Sequence, residues 1–251
     1  GLPMSKLRQR LRETGRPRRA AMGFAPSDDG GTKSHVLVVA EVSDAAAATA
    51  AIEAGAGAVV SNDPAQAKAI SEADAKTPGG CRIDAATPEQ AEALADAGAD
   101  FLIFDDALTA AATLRERRLG RVLVLESDAE EERLRSLASL DLDALLLSDV
   151  AETLTVRDQL ALRRIVELTR KPLMALLSGE VSSSTLEDWR NSGVPAVLVP
   201  ASPAGLLEKV IAAAAEVGPP PEPPSEERRD PLLPAMPAAA DDDDDDDHDH
   251  E

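Results

Sequence analysis

AIEAGAGAVV (Ala51 to Val60), ALADAGADFLIF (Ala93 to Phe104), LASLDLDALLL (Leu137 to Leu147) and WRNSGVPAVLV (Trp189 to Val199) share one pattern: a helix, a tight joint, then a short apolar strand. The joint residues Gly55, Gly98, Asp141 and Gly193 lie 43, 43 and 52 positions apart, and each interval holds one further strand and helix. That count predicts eight strand and helix units, the content of a (β/α)8 barrel.

Working outward from these joints, apolar runs bounded by turn residues place the strands at 35–42, 56–62, 80–85, 100–106, 121–127, 143–149, 172–179 and 196–201. Most are apolar on both faces, as parallel strands covered by helices outside and packed side chains inside must be. Ser43 or Asp44, Thr87, Thr109, Asp128, Ser184 and Ser202-Pro203 are the expected helix starts. Aromatic residues make up 2% of the chain and tyrosine is absent. The core is therefore expected to be Val, Ile, Leu and Ala, which suits the interior layers of a closed barrel; an open, doubly wound sheet is the alternative.

Sustained apolar periodicity is confined to residues 35–217. Residues 1–34 form a basic arm and loop. Leu7 and Leu11, spaced i and i+4, give the arm one narrow apolar edge, so a short helix packed loosely under the barrel is expected. An arm that engages an acidic partner or nucleic acid, or the chain's own acidic end, is the other reading. Residues 218–251 are a proline-rich linker followed by Asp241 to Asp247, a run whose self-repulsion predicts a disordered, solubilising tail. A basic protein surface is the partner such a tail would suit, and weak cation capture by its Asp and His residues is a further reading.

The formal net charge of −20 disfavours a general nucleic-acid binder, because phosphate contacts need basic clusters. Cys81 is the single cysteine, read as a buried small hydrophobe. With no internal disulfide available and no signal-like or membrane-spanning apolar stretch, a cytoplasmic location is expected.

In a barrel of this kind the carboxyl ends of the strands form the mouth, and catalytic residues come from several of them. Nearly every strand here ends in an acid: Glu41, Asp63, Asp84, Asp105 with Asp106, Glu126, Asp149 and Glu180. Converging carboxylates repel unless a cation neutralises them, so Mg²⁺ or Mn²⁺ held by Asp84, Asp105, Glu126 and Asp149 is one expectation, with Glu41 or Glu180 moving a proton. The competing reading is that these acids cap the helices that follow. Arg82 shares a strand face with Asp84, either as a structural ion pair or as an anchor for a substrate anion. His35 lies at the start of the first strand, and no lysine falls at a strand's carboxyl end. Histidine triads, histidine zinc sites and Schiff-base chemistry are thereby set aside.

The stretch SGEVSSSTLEDWRNSGVPAVLVPAS, Ser178 to Ser202, resembles the seventh strand end, helix and eighth strand of the phosphate-binding TIM barrels, a superfamily that includes indole-glycerol-phosphate synthase, phosphoribosylanthranilate isomerase and thiamine-phosphate synthase. The resemblance implies a substrate phosphate held near Gly179 and after strand eight. There, Pro200, Ala201 and Pro203 replace the expected glycines, and proline contributes no N–H. The anion would then fall to Ser202 and the helix start beyond it.

Two functions are expected from this reading. One is a metal-assisted lyase or isomerase for a small anionic metabolite, phosphorylated or not. The other is a non-catalytic TIM-barrel scaffold that engages partners through its charged ends.

Overall fold

The computed structural model describes residues 4–14 and 34–221. The arginines beyond Thr14, the proline-rich linker and the aspartate run lie outside the described residues, as do the disorder and partner readings made of them.

Eight parallel strands pair in sequence order and close on themselves: β1 (Leu37–Glu41), β2 (Ala58–Ser61), β3 (Gly79–Arg82), β4 (Phe101–Phe104), β5 (Gly120–Leu125), β6 (Ala144–Leu147), β7 (Leu173–Leu176) and β8 (Ala196–Val199). Closure is made by β8 against β1, with Leu37 beside Ala196 and Val39 beside Leu198. The barrel reading therefore holds and the open sheet falls. The strands are shorter than the apolar runs suggested, because the terminal residues leave the ladder to enter loops.

Alternation sorts each strand into an inner and an outer face. Leu37, Val39, Val60, Phe101, Ile103, Val122, Leu146, Met174 and Leu198 belong to one cluster that fills the interior. Val38, Cys81, Leu102, Leu123, Leu145, Ala175 and Val197 join a second cluster, together with the helix residues Leu94, Leu134, Leu162, Ile165 and Leu186. Gly80 makes room inside: a Cβ there would fall 2.3 Å from the Phe101 ring. With so few aromatics, one ring fills the space that a side chain on β3 would otherwise take. Burial drives the Cys81 thiol up to about 12, in keeping with its reading as an inert core residue.

Around the strands run α2 (Ala45–Ala54), α3 (Ala67–Ala73), α4 (Pro88–Asp96), α5 (Glu131–Leu137), α6 (Val156–Thr169), α7 (Ser183–Asn191) and α8 (Leu206–Ala215); a 3-10 turn over Ala111–Arg115 stands in for a full helix after β4. Asp44 caps α2 by accepting from the Ala47 N–H, and Thr87 forms a reciprocal capping box with Gln90 on α4. Thr155 does the same with Asp158 on α6, a start the sequence reading passed over. Four expected caps are corrected. Ser182, not Ser184, caps α7, and Glu130 precedes α5 without a side-chain bond. Gly205 precedes α8, and the Thr109 hydroxyl instead donates to the Asp84 carbonyl and accepts from the Ala86 N–H.

Of the four joints, Gly55, Gly98 and Gly193 have φ of 116°, 85° and 102°, the left-handed region that ends a helix cheaply only for glycine. Asp141 does not. The left-handed non-glycine residue among those described is Arg170, φ 56°, between α6 and β7.

The N-terminal helix α1 (Lys6–Thr14) closes the amino end of the barrel. It is not loosely packed, as the sequence suggested. Leu7 and Leu11, 0% and 4% exposed, belong to the interior cluster. The Asp100 carboxylate accepts from the Lys6 and Leu7 N–H groups, both at 2.8 Å, and so caps the helix from another part of the chain. Ser5 donates to Asp143; Arg8 contacts Asp143 and Asp141, each at 2.5 Å.

Candidate active site

Strand parity decides which mouth residues face the axis. Glu41 follows Val39 by two and pairs in register with Val60, and both valines are interior residues. Arg82 pairs with Ile103 and follows Gly80, again on the inner face. Continuing the alternation by one or two residues gives Asp105, Glu126, Ser148 and Ser178 the same side, while Asp149 falls on the other.

Asp84, Asp105, Glu126 and Asp149, the four carboxylates expected to hold a metal ion, lie at separate strand ends. Among the described residues no group of three or more His, Cys, Asp or Glu is disposed to hold an ion. Each of the four has a local partner instead. Asp84 bonds Arg82 Nε at 2.9 Å; Asp105 accepts from the Ala107 N–H at 2.8 Å. Glu126 pairs with Arg133 at 3.2 Å; Asp149 accepts from the Ser127 hydroxyl at 2.7 Å and from its N–H. Carboxylates satisfied this way need no cation to offset their repulsion.

Glu180 is exposed and paired with Lys209, which reaches back from the first turn of α8. Arg133 was missed by the sequence reading. It spans the rim from α5, donating to Asp106 at 2.8 Å as well as to Glu126, and no local pattern announces a contact across 27 positions.

Glu41 and Arg82, both on the inner face, keep open capacity. Glu41 is partly buried, and its carboxylate has no hydrogen-bond or ion-pair partner among the described residues. It lines a cleft of about 380 Å³ between the β1 and β8 ends, with Ser43, Pro200, Pro203, Ala204 and Gly205 among its walls. Arg82 is 27% exposed at its side chain and engages Asp84 through Nε alone, leaving its terminal nitrogens open toward the mouth. Gly179 sits in the loop after β7, where an added Cβ would meet nothing within 4 Å, so its backbone can be approached freely. Ser202 is exposed in the loop after β8.

No helix among the described residues is long and apolar enough to cross a membrane. No protein-family model matches the sequence. No curated protein matches it either.

Solved structures do match in fold. A ligand-free mutant form of tryptophan synthase from M. tuberculosis superposes with a TM-score of 0.59 at 15% identity, over 86% of this chain and 98% of that one. 2,3-Dimethylmalate lyase, a PEP mutase/isocitrate lyase superfamily member, gives 0.51 at 17% identity, over 65% and 75%. A protein from Aquifex aeolicus VF5 gives 0.57 at 10% identity, over 85% and 96%. The likeness is one of fold: this chain is a TIM barrel.

Proposed function

We propose that the barrel is a lyase or isomerase acting on a small anionic metabolite at the mouth, with Arg82 anchoring the anion and Glu41 moving the proton. The observation that carries this reading is Glu41: an inward-facing, partly buried carboxylate without a partner among the described residues, where Asp84 and Glu126 are held by arginines. An unpaired carboxylate in a cleft is poorly solvated by the protein and positioned to accept a proton from a bound C–H or O–H. The open guanidinium nitrogens of Arg82 match a carboxylate or phosphate in bidentate geometry. Gly179 and Ser202, with the α8 start, supply room and a hydroxyl for a second anionic group. The fold likeness to tryptophan synthase and to a lyase supports the reaction class by analogy.

The experiment is solvent exchange. The full chain is incubated in D₂O with a panel of small carboxylated and phosphorylated carbonyl compounds, and deuterium uptake is followed by NMR. A proton-transfer enzyme exchanges the acidic C–H of its substrate. Glu41→Gln should remove the exchange, and Arg82→Gln should raise the concentration needed for it. Exchange that survives Glu41→Gln overturns the assignment.

The scaffold reading is favoured by a different observation, that Asp105, Asp149 and Asp84 satisfy loops and neighbours as ordinary structural acids do. It expects no exchange with any of the panel.

A further inference from the structure

The floor end carries a cluster of cations that plays no part at the mouth. Between α1 and the joint joining α6 to β7 lies a cleft of about 310 Å³, lined by Arg8, Leu11, Arg12, Asp143, Arg170 and Lys171. Its single acid, Asp143, is 3% exposed and already engaged by Ser5 and Arg8. The side chains of Arg12, Arg170 and Lys171 have no hydrogen-bond or ion-pair partner among the described residues, although Lys171 is partly withdrawn from water. Burial, and then the charge of Arg8, hold the Lys171 ammonium below its ordinary value, against the smaller opposing pull of Asp141 and Asp143. The four cations outnumber their counter-charges, since Arg8 already takes both Asp143 and the neighbouring Asp141, and a bound anion relieves the repulsion among the rest and the lost hydration of Lys171.

Arg170 adds an independent observation. Three left-handed helix ends in this barrel are glycines; the fourth is Arg170, whose Cβ makes that backbone costly. The strained joint is the one that places a guanidinium at the cleft. Glycine would end α6 more cheaply and present nothing there. The volume falls in the range of small-molecule sites, which favours a compact ligand over an extended chain. Guanidinium forks beside an ammonium suit phosphoryl oxygens, which offer several acceptors at one centre.

We propose that this cleft binds a compact, multiply charged phosphoryl anion, such as pyrophosphate or a small molecule bearing a polyphosphate, held by Arg12, Arg170 and Lys171 at the barrel floor. The site is separate from the mouth and does not depend on the reaction proposed there.

The test is calorimetric titration of the full chain with sodium pyrophosphate at low ionic strength and without divalent ions, with citrate as a non-phosphate anion of similar charge. Saturable binding to one site is expected, with citrate weaker. Arg170→Gly and Arg12→Ala should each weaken it by about tenfold, the scale of one lost charge-assisted contact. Arg170→Gly also relieves the backbone, so its melting temperature should equal or exceed that of the parent, which separates lost affinity from lost folding. Arg82→Gln at the mouth should leave in place the binding that Arg170→Gly removes. No saturation into the millimolar range, equal or tighter binding of citrate, or binding abolished by Arg82→Gln but not by Arg170→Gly would overturn the proposal.

Discussion

The two ends of this barrel use carboxylates in different ways. At the floor, Asp100 and Asp143 are acceptors for α1: one caps its first N–H groups, the other is held by Ser5 and Arg8 beneath the interior cluster. At the mouth, Asp105 and Asp149 satisfy loop donors within turns, Glu126 pairs with Arg133 and Asp84 with Arg82, and Glu41 has no partner among the described residues. Floor acids bind elements far apart in the chain and contribute to stability. Mouth acids tie down short loops or pair with nearby arginines. That division follows the general layout of such barrels, with stability at the amino ends of the strands and activity at the carboxyl ends.

The comparison breaks most readily at Leu7. It is fully buried against the interior, so Leu7→Ala should cost about 3 kcal/mol, read as a fall in denaturation midpoint at unchanged m-value. A change under about 1 kcal/mol would mean that α1 is a dispensable arm after all. Gly80→Ala should cost about 1–3 kcal/mol, because its Cβ would strike the Phe101 ring; adding Phe101→Leu should recover part of the loss. At the mouth the effects shrink. Asp149→Asn removes a charged acceptor from an exposed turn and should cost about 1 kcal/mol or less by thermal unfolding.

The smallest effect sharpens the contrast within the floor itself. The hydrogen bond from Arg8 holds the Asp141 carboxyl below its ordinary 3.8, whereas burial pushes Asp100 above it. Asp141, with a depressed value in the folded state, contributes stability that is present above pH 3.8 and lost as pH falls through the lower folded value. Asp100 has the opposite sign: the folded chain holds its proton more tightly, so its contribution grows as pH falls through the raised value toward 3.8. Asp141→Asn should therefore flatten the acid loss of melting temperature, and Asp100→Asn should steepen it. Matching slopes in the two variants would refute the assignment.

Much of the architecture was legible because it is written in local patterns. Glycines at three joints need left-handed backbone, apolar runs of strand length need cover on both faces, and Thr87-Pro88 needs only its own turn to start a helix. The candidate site was legible only as a list of acids. Arg133 finds Asp106 and Glu126 across the rim, and nothing near position 133 says so. The floor acids left a faint signal: Asp100 and Asp143 each stand immediately before an apolar strand, FLIF and ALLL, where a carboxylate is too close to the core to be left to solvent.

By itself, then, the sequence determined the eight repeating units, their order, and a core of aliphatic residues, since each depends on periods of two and of three to four residues along the chain. Tertiary structure alone decided that the ring closes, that α1 is its floor, and which acids meet an arginine or a distant backbone N–H. Those outcomes depend on groups as far apart as Ser5 and Asp143, or Leu37 and Ala196, meeting in space, and no local pattern encodes such meetings.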